Sequence, residues 1–484
     1  MPLIIPGNSQ ASTGYTIDQS IRFNDNDSAF MKKDYSGDGS QTTFTLSGWF
    51  KLGILTGSAH SLFATGYLNG SAADFSLYFS GDQLYFFGGY NGGTPANKLE
   101  TTQLFRDHSA WYHIVFVADT TNAVSVERLR LYVNGSRVTA FDTETYPSQN
   151  NTLVWGDATY SHAIGASGDD TTSLNSQTPR FHYDGYMAEI HYLDGYAYDP
   201  SFFGEFNDSG IWIPKEYTGS YGSNGFKIDG RDSSDLGDDE SGNGNDFTSN
   251  NLTASDQVLD SPTNNFAVMN PLADYYANHT FKNGNLELLT STTTNQYTYS
   301  INNIGMSSGK WYAEMYVGSI AGQCLIGISD RQSQGGTHYL GSQSYEYSWY
   351  SYNGKSINGG TQSTFASTYT TNDIIGVALD LDNSKLYFSK NGSFVNSGDP
   401  TSGSTGTGAI SITAVGSTQN GHYFFAVGDY SNSGQITVYW NFGQEGTFAG
   451  NTTAGGNSDG NGVGNFKYSV PSGYLALCTK NLGS

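Results

Sequence analysis

The fold class is decided by two stretches of the sequence, RLRLYVNGSRV at residues 128–138 and SKLYFSKNGSFV at residues 384–395. In each stretch a run of alternating apolar and polar residues leads into Asn-Gly, and a second extended run follows. Asn and Gly tolerate the positive φ that both central residues of a type I′ turn require, so each half of the chain is predicted to contain a β-hairpin. A duplicated domain would produce this repetition, and so would two different β-sandwiches that share one kind of turn.

The composition of the whole chain also favours β-structure. Of its 484 residues, 61 are Gly and 14% are aromatic. Tyr, Phe, Val, Ile and Thr suit pleated surfaces, whereas Gly, Asn and Asp mark turns. A chain of this length exceeds one ordinary hydrophobic core, so two or three domains are expected. We therefore predict an all-β protein.

The charge balance argues against several classes of partner. The chain has 21 basic and 44 acidic side chains, which gives a formal charge of −23. Such a surface repels phosphate backbones and anionic lipid, so we expect no nucleic-acid partner and no membrane insertion. With only Cys324 and Cys478 there is no disulfide framework. The first residues lack the features of a signal peptide, so we expect synthesis in a cytoplasm.

Several motifs follow one another in the first half of the chain: TTFTLSGWFKLG at 42–53, WYHIVFVAD at 111–119, the first Asn-Gly hairpin, and YDGYMAEIHYLDGYA at 183–197. In this order they resemble the laminin-G-like, concanavalin A-like jelly roll, and the resemblance covers residues 15–205. It implies two curved antiparallel sheets. Domains of this kind usually bind carbohydrate or protein, and some bind calcium at the rim.

Some relatives of this fold are glycoside hydrolases, which place alternate carboxylates of one strand on the same face of a sheet. The nearest candidates here are Glu189 and Asp194, whose odd separation predicts that they point to opposite faces. We interpret Glu189 as a polar residue at a strand end. The sequence therefore predicts no enzymatic activity and no catalytic residue.

The first half contains histidines and acids that could in principle bind a metal ion. None of its histidines forms a spaced pair like those of a zinc site, and His113 and His191 fit packed or rim positions. Asp119, in the loop after the Trp111 strand, is the acid most compatible with calcium, and an ordinary turn Asp is the alternative. We expect no cofactor, with calcium at Asp119 as the open alternative.

Regular alternation fades over residues 206–300, which we interpret as an irregular, turn-rich connector. Its most polar part, residues 229–256, is dense in Asp, Gly, Asn and Ser. An ordered connector and a calcium loop are both compatible with this composition, although the EF-hand spacing is not satisfied. Residues 1–14 are expected to form an N-terminal arm.

A second set of motifs occupies the other half: GKWYAE at 309–314, CLIGISD at 324–330, NDIIGVALDLDNSKLYFSKNG at 372–392, and NFG at 441–443. These strongly resemble the SPRY domain over residues 301–448. The resemblance implies a second antiparallel β-sandwich that serves as a recognition module without catalytic residues. The two Asn-Gly hairpins would then belong to different sandwich families and would not reflect a duplication.

The segment YEYSWYSYNG at 345–354 is the most aromatic part of the second half. A period of two places Tyr347 and Trp349 on one face of a strand, and Tyr350 and Tyr352 on the other. Trp349 matches a core strand of the SPRY family. We predict that Tyr350, Tyr352 and Asn353 bind a ligand, with the tyrosines as an exposed sugar-stacking surface. Ordinary surface tyrosines are the alternative.

The two ends of the chain carry a further resemblance. Residues 449–484 combine a Gly/Asn-rich loop with PSGYLALCTKNL, a final strand or arm, and residues 14–31 read GYTIDQSIRFNDNDSAFM. Together with the order of the two sandwiches, these ends resemble virion proteins of phages that infect marine bacteria. The resemblance implies other virion proteins as partners, a homo-oligomer with a trimer favoured, and display on a virion after synthesis in the bacterial host cytoplasm.

These features predict a non-enzymatic virion protein, a tail fibre or appendage that recognises a host-surface glycan or protein. A capsid decoration or head-fibre protein is the alternative, because the sequence has no heptads of the kind found in coiled-coil fibre anchors. A polysaccharide depolymerase is a third class, and it would require a carboxylate pair facing one cleft.

Overall fold

The computed structural model describes residues 14–53, 59–66, 74–91, 94–168, 179–273, 279–290, 298–321, 323–331, 338–430 and 434–482. The chain divides into two compact units, with the boundary between Thr263 and Asn264. We call them the N-terminal and the C-terminal sandwich. Both consist of sheets that are antiparallel apart from one short parallel pair, Leu475–Ala476 with Lys310–Ile320, which confirms the all-β prediction. The helical segments in the described ranges are too short or too polar to cross a bilayer.

The N-terminal sandwich contains two eight-stranded sheets and a separate hairpin. Its strands are β1 Ser20–Phe23, β2 Phe30–Lys33, β3 Thr43–Leu52, β4 His60–Gly66, β5 Asp74–Ser80, β6 Gln83–Asn91, β7 Thr94–Leu104, β8 Trp111–Asp119, β9 Leu129–Val133, β10 Ser136–Arg137, β11 Phe141–Thr145, β12 His162–Ile164, β13 Gly185–Asp194, β14 Gly204–Phe206, β15 Trp212–Pro214, β16 Phe226–Ile228, β17 Thr248–Asn250 and β18 Gln257–Val258. The first sheet has the order β10-β9-β8-β3-β13-β1-β18, with β16 paired to β13. The second sheet has the order β11-β7-β6-β5-β4-β12-β2-β17, and β14 pairs with β15.

The core of this sandwich lies between the inward faces of its two sheets. Phe116 of the first sheet contacts Phe75 and Phe86 of the second, with ring centroids 5.6 Å and 4.5 Å apart. Alternation along β3 sends Phe44 and Phe50 into the same core. The first sheet is also covered on its outward face by the segment that follows β13, so its central strands are buried on both sides.

The C-terminal sandwich contains a nine-stranded and a six-stranded sheet. Its strands are β19 Thr280–Lys282, β20 Glu287–Leu289, β21 Thr298–Ile301, β22 Lys310–Ile320, β23 Cys324–Ser329, β24 Glu346–Tyr350, β25 Ser356–Asn358, β26 Thr361–Ser363, β27 Ile374–Asp380, β28 Lys385–Lys390, β29 Ser393–Phe394, β30 Ile410–Ser411, β31 Phe424–Asp429, β32 Ile436–Asn441 and β33 Leu475–Ala476, followed by the helix α1 Thr479–Leu482. The larger sheet has the order β19-β20-β32-β22-β27-β28-β29, with β30 and β33 paired to β28 and β22, and the smaller has the order β21-β31-β23-β24-β25-β26.

Aromatic side chains join the two sheets of the C-terminal sandwich. Trp349 of the smaller sheet lies 5.8 Å from Phe388 of the larger one. Phe425 and Trp440 form a second contact between the sheets, with centroids 6.3 Å apart. These large buried rings fill the space between the sheets.

Both predicted Asn-Gly hairpins are present. Asn134 and Gly135 have φ of 46° and 76°, and Asn391 and Gly392 have φ of 51° and 82°. The positive values at both central positions are those that a type I′ turn needs. The turns join β9 to β10 and β28 to β29, each at one end of its sheet.

Each turn Asn also fixes its hairpin to the next strand. The backbone N–H of Asn134 donates to the carbonyl of His113, and the N–H of His113 donates to Asn134 Oδ1, both at 2.8 Å. Asn391 and Ile374 exchange the same two bonds, again at 2.8 Å. The same local arrangement therefore occurs in both sandwiches. In each, the turn Asn forms one more hydrogen-bonded residue pair with the adjacent strand.

The structure divides the segment interpreted as an irregular connector, residues 206–300, between the two sandwiches. Strands β16, β17 and β18 pair with β13, β2 and β1, whereas β20 and β21 pair with β32 and β31. Ile228 is completely buried in the N-terminal core. These strands have two to four residues, too few to show a periodic pattern, and this is why sequence periodicity missed them.

Candidate functional site

The structure contradicts the prediction that Tyr350 is exposed. Its side chain is 3% exposed and belongs to an apolar cluster with Leu325 and Phe424. Its hydroxyl donates to Gln323 Oε1. The alternation correctly placed Tyr350 opposite Trp349, but the outward face of the six-stranded sheet is itself covered. Tyr350 is therefore a packing residue and does not form a sugar-stacking surface.

Tyr352 and Asn353 lie in the turn after β24. Tyr352 is 69% exposed, and its ring centroid lies 6.0 Å from that of Tyr350. Asn353 Oδ1 accepts from the backbone N–H of Lys355, and its Nδ2 donates to Gln362, both at 3.0 Å. Asn353 thus stabilises the turn, and Tyr352 alone of the three predicted binding residues presents most of its ring to solvent.

Asp119 ends β8 as a turn residue. Its Oδ1 accepts from the hydroxyl of Thr121 at 2.6 Å. Within the described ranges, no group of three or more His, Cys, Asp or Glu side chains could hold a metal ion. Calcium also takes backbone and amide oxygens, so calcium at Asp119 stays a prediction.

The acids of the polar segment at 229–256 are engaged in local hydrogen bonds. Asp239 accepts from the backbone N–H groups of Lys227 and Asn245 at 2.9 Å and 2.8 Å. Asp229 contacts Arg231 at 2.9 Å and Lys227 at 3.3 Å. These bonds hold the segment in one ordered conformation beside β16, so the carboxylates have a structural role here.

His113 is packed, as the sequence predicted. Its ring stacks on Trp49 at 4.7 Å, and Trp212 Nε1 donates to its Nδ1 at 3.1 Å. Burial lowers the pKa of His113 to about 3, so the imidazole is neutral at physiological pH. A neutral, enclosed histidine of this kind belongs to the packing between the first sheet and its cover.

Glu189 differs from its interpretation as a residue at a strand end. It lies within β13 next to a β-bulge, with a φ of 48° and 6% exposure. Its carboxylate accepts from the hydroxyl of Tyr15 at 2.6 Å and contacts His191 Nε2 at 3.2 Å and Lys227 Nζ at 3.3 Å. The bulge turns the side chain of Glu189 into this polar cluster. Alternation along the strand does not predict the bulge.

Glu189 is ionised at neutral pH, as expected for a carboxylate in a structural ion cluster. Burial alone would raise its pKa, but the hydrogen bond and charge of His191 and the charge of Lys227 lower it to about 2. Asp194, five residues later, instead accepts from the backbone N–H groups of Ser40 and Asn224 at 2.6 Å and 3.0 Å. The two carboxylates do not share a site.

The sequence reasoning missed a polar and aromatic surface on the outward face of the second sheet. Two rows of side chains cross β5, β6, β7 and β11 in register, and we call these eight residues the outer grid. The first row is Tyr78, Tyr85, Glu100 and Thr143, and the second is Ser76, Phe87, Lys98 and Thr145.

Three rings of the outer grid are nearly parallel. Tyr78 lies 5.3 Å from Tyr85 and 5.6 Å from Phe87, with interplanar angles of 14° and 10°. Tyr85 and Phe87 are half-buried, while Tyr78 is largely covered. Lys98 Nζ lies over the rings of Tyr85 and Phe87, 5.5 Å and 5.4 Å from their centroids, which is within the range of a cation–π contact.

An ion pair borders these rings. Lys98 Nζ lies 2.7 Å from Glu100 Oε2, which also accepts from Thr143 Oγ1 at 3.0 Å. The Tyr85 hydroxyl donates to Glu100 Oε1 at 2.8 Å. The hydrogen bond from Lys98 lowers the pKa of Glu100, whereas partial burial and Glu100 raise the pKa of Tyr85 to about 12. At neutral pH the grid therefore combines a carboxylate, an ammonium group and neutral phenols.

Family comparisons identify both sandwiches. Residues 22–176 match the family model of the concanavalin A-like lectin/glucanases superfamily, and residues 310–427 match that of the SPRY domain. The chain carries a concanavalin A-like domain and a SPRY domain. Both matches lie within the ranges that the sequence motifs assigned to these folds. The outer grid is therefore part of the concanavalin A-like domain, and Tyr352 part of the SPRY domain.

Solved structures resemble parts of the chain. The SPRY domain of human HERC1 is 18% identical over 36% of this chain and 96% of its own length, with a TM-score of 0.27. Another human SPRY domain is 17% identical over 32% and 91%, with a TM-score of 0.24. A Bacteroides ovatus protein for which carbohydrate binding has been proposed is 14% identical over 49% and 60%, with a TM-score of 0.30. No curated protein matches the chain in sequence.

Proposed function

We propose that this chain is a non-enzymatic recognition protein of a phage virion, and that its concanavalin A-like domain binds a host-surface glycan through the outer grid. The observation that carries the glycan proposal is the grid itself. Tyr85 and Phe87 are half-buried beside the ion pair of Lys98 and Glu100, which is 2.7 Å long. Aromatic rings next to a few well-placed polar groups are the usual lining of a small-ligand site.

This chemistry suits a sugar because a pyranose ring has both apolar and polar parts. Its C–H groups form apolar faces that are removed from water when they pack on the solvent-exposed parts of Tyr85 and Phe87. The faces of these two rings already lie against Tyr78 and Lys98, so the exposed ring edges offer the apolar contact. Its hydroxyl groups can donate to a carboxylate and accept from an ammonium group. Glu100 and Lys98 present both of these partners at the edge of the rings.

We further propose that binding occurs without hydrolysis. Glycoside hydrolysis by the usual mechanisms needs two carboxyl groups on opposite sides of the scissile bond. Among the eight residues of the outer grid, Glu100 has the one carboxylate, and that group is bonded to Lys98 and Tyr85. The neighbouring carboxylate of Asp142 accepts from Gln83 Nε2 at 2.7 Å. The carboxylates of Glu189 and Asp194 have separate structural partners in the first sheet.

The placement on a virion is supported by the motifs at the two ends of the chain and by the order of the two domains. A host-recognition role would use the rigid sandwiches as scaffolds for exposed surfaces. Immunogold labelling of particles of the phage that encodes the chain tests the location. Label on tail fibres or appendages is the expected result, label on the capsid would favour a decoration protein, and particles without label would refute the virion role.

Binding to intact cells tests the glycan proposal. The purified, fluorescent full-length chain is compared with a Tyr85→Ala/Phe87→Ala variant and with Tyr352→Ala as the control for an exposed aromatic residue of the SPRY domain. We expect the wild type and Tyr352→Ala to bind phage-sensitive bacteria, the double variant to lose most binding, and no reducing sugar to be released. Binding that depends on Tyr352 alone, or the release of sugar, would contradict the proposal.

A further inference from the structure

The outer grid is electrically balanced by its own side chains. Lys98 and Glu100 are the two charged members of the grid, and they lie 2.7 Å apart with side chains 22% and 17% exposed. Opposite unit charges this close leave the pair with no net charge, although each group still acts on a ligand atom in contact with it. The grid therefore offers local hydrogen-bonding groups without presenting a net charge of its own.

The ion pair retains capacity for neutral hydroxyl groups. An ammonium group has three N–H donors, and a carboxylate has about four acceptor positions. Glu100 accepts from Lys98, Tyr85 and Thr143, and Lys98 gives one of its donors to Glu100. Two neighbouring sugar hydroxyls could thus accept from Lys98 and donate to Glu100 without breaking the bond between them.

An anionic ligand would bind the outer grid less favourably than a neutral one. An anionic sugar would compete with Glu100 for Lys98 and leave that carboxylate without its closest cation. The wider field adds to this cost, because the chain has a formal charge of −23. Asp142, which accepts from Gln83 Nε2 at 2.7 Å, places a further carboxylate beside the end of the first row.

From this balance we infer that the outer grid selects an uncharged glycan over an acidic or sulfated one. The inference rests on the proposed function and adds the chemical class of its ligand. Tyr85 and Phe87 supply the affinity by removing apolar sugar faces from water, and Lys98 with Glu100 fixes the orientation of the hydroxyls. Because the contacts are uncharged on the ligand side, salt has little influence on binding.

Matched polysaccharides that differ only in charge test this selection. Native gels are cast with dextran or dextran sulfate, and with methyl-esterified pectin or polygalacturonate, and the retardation of the full-length chain is measured at low and high salt. The variants are Phe87→Ala, which removes a stacking ring, and Lys98→Gln/Glu100→Gln, which preserves size and removes charge. Phe206→Ala, at an aromatic side chain that is 56% exposed outside the grid, is the control, and thermal melting verifies that every variant is folded.

We expect an uncharged member of at least one matched pair to retard the chain about tenfold more strongly than its charged member, at both salt concentrations. Phe87→Ala and the double glutamine variant should each weaken this binding about tenfold, and Phe206→Ala should not. Preference for a charged member that disappears in salt, yet still depends on Phe87, would overturn the inference and leave the binding site intact. Failure of every polymer to bind, or binding that is insensitive to Phe87, would overturn the proposed function as well.

Discussion

Burial gives two neighbouring tyrosines of the SPRY domain different roles. Tyr350 is 3% exposed and Tyr352 is 69% exposed, although two positions in sequence separate them. We predict that Tyr350→Ala lowers the free energy of unfolding by about 3 kcal/mol, because it leaves a cavity in a packed cluster. Tyr352→Ala should change it by less than about 0.5 kcal/mol. Urea denaturation measures both values, and equal effects would contradict the assignment.

A buried ion pair joins two distant parts of the N-terminal sandwich. Lys51 Nζ lies 2.6 Å from Asp260 Oδ2, and both side chains are inaccessible to solvent. Trp111 Nε1 donates to Asp260 Oδ1 at 3.0 Å. The carboxylate thus fixes the segment after β18 to the central strand β3, and it is held there by a cation and a hydrogen bond.

The cost of breaking this pair follows from removing the carboxylate that neutralises a buried ammonium group. We predict that Asp260→Ala lowers the free energy of unfolding by about 3–5 kcal/mol, because Lys51 then remains buried without its carboxylate. The double variant Lys51→Met/Asp260→Leu should recover most of that loss, since it removes both charges. Chemical denaturation of the two variants checks this, and a double variant as unstable as Asp260→Ala would contradict it.

Alternation predicted which face of its strand a residue occupies, but it could not predict whether that face is covered. Tyr350 shows this limit, because its face was assigned correctly and its exposure was not. The pairing of Tyr78 with Tyr85 follows from the short turn that pairs Ser80 with Gln83 and was within reach of sequence reasoning. The positions of Lys98 and Glu100 could not be predicted from the sequence. The pairing of β6 with β7 contains a register shift between Gln83 and Tyr85, and no local pattern reveals such a shift.

Strand β22 of the SPRY domain is hydrogen-bonded to the C-terminal segment of the chain. Glu314 of β22 is completely buried, and its carboxylate accepts from the backbone N–H groups of Lys467 and Tyr468, both at 2.8 Å. Burial raises the pKa of Glu314 to about 7, although these hydrogen bonds oppose the shift. The strand thereby holds the C-terminal segment through a carboxyl group that takes up a proton near neutral pH.

The raised pKa predicts the direction of a pH effect on stability. The folded state binds this proton more tightly than the unfolded state, whose pKa is near 4.5. The stabilisation is fully present below pH 4.5 and is lost as the pH rises through about 7, which amounts to about 3 kcal/mol. We predict that Glu314→Gln removes this pH-dependent loss. Any advantage in the free energy of unfolding that the wild type has over the variant at low pH should therefore shrink or reverse as the pH rises.

Denaturation in urea between pH 4.5 and 8 measures the effect of Glu314→Gln. Glu144→Gln is the matched control, because Glu144 lies exposed on β11. Its profile should run parallel to that of the wild type. Parallel profiles for the wild type and Glu314→Gln would show that the carboxyl group of Glu314 titrates alike in the folded and unfolded states, against the prediction.

Elements with a turn signal and a long alternating run were predictable, and very short ones were not. The turns at Asn134 and Asn391 have the predicted geometry because two residues fix it locally. The three-residue strand β16 depends instead on Phe226 and Ile228 entering a core formed by distant strands. Contacts of this kind are set by the tertiary fold and leave no local periodic pattern.

At the scale of the whole molecule, the order of motifs predicted two sandwiches of different families, and the family comparisons confirm both domains. The sequence did not predict that the second sheet of the concanavalin A-like domain carries the outer grid, because its rows join side chains from four strands. The grid and the exposed ring of Tyr352 belong to different domains. A ligand that occupies one of them can therefore be distinguished from a ligand on the other.

Hydroxyl-radical footprinting of the full-length chain, with and without a bound uncharged polysaccharide, tests most directly whether the outer grid is the binding site. Oxidation of each aromatic side chain is quantified by mass spectrometry and expressed relative to Tyr352, which corrects for radicals consumed by the sugar. We predict that the relative oxidation of Tyr85 and Phe87 falls severalfold on binding, since the sugar covers their rings. Unchanged oxidation of Tyr85 and Phe87, or protection of Tyr352 relative to them, would contradict the account.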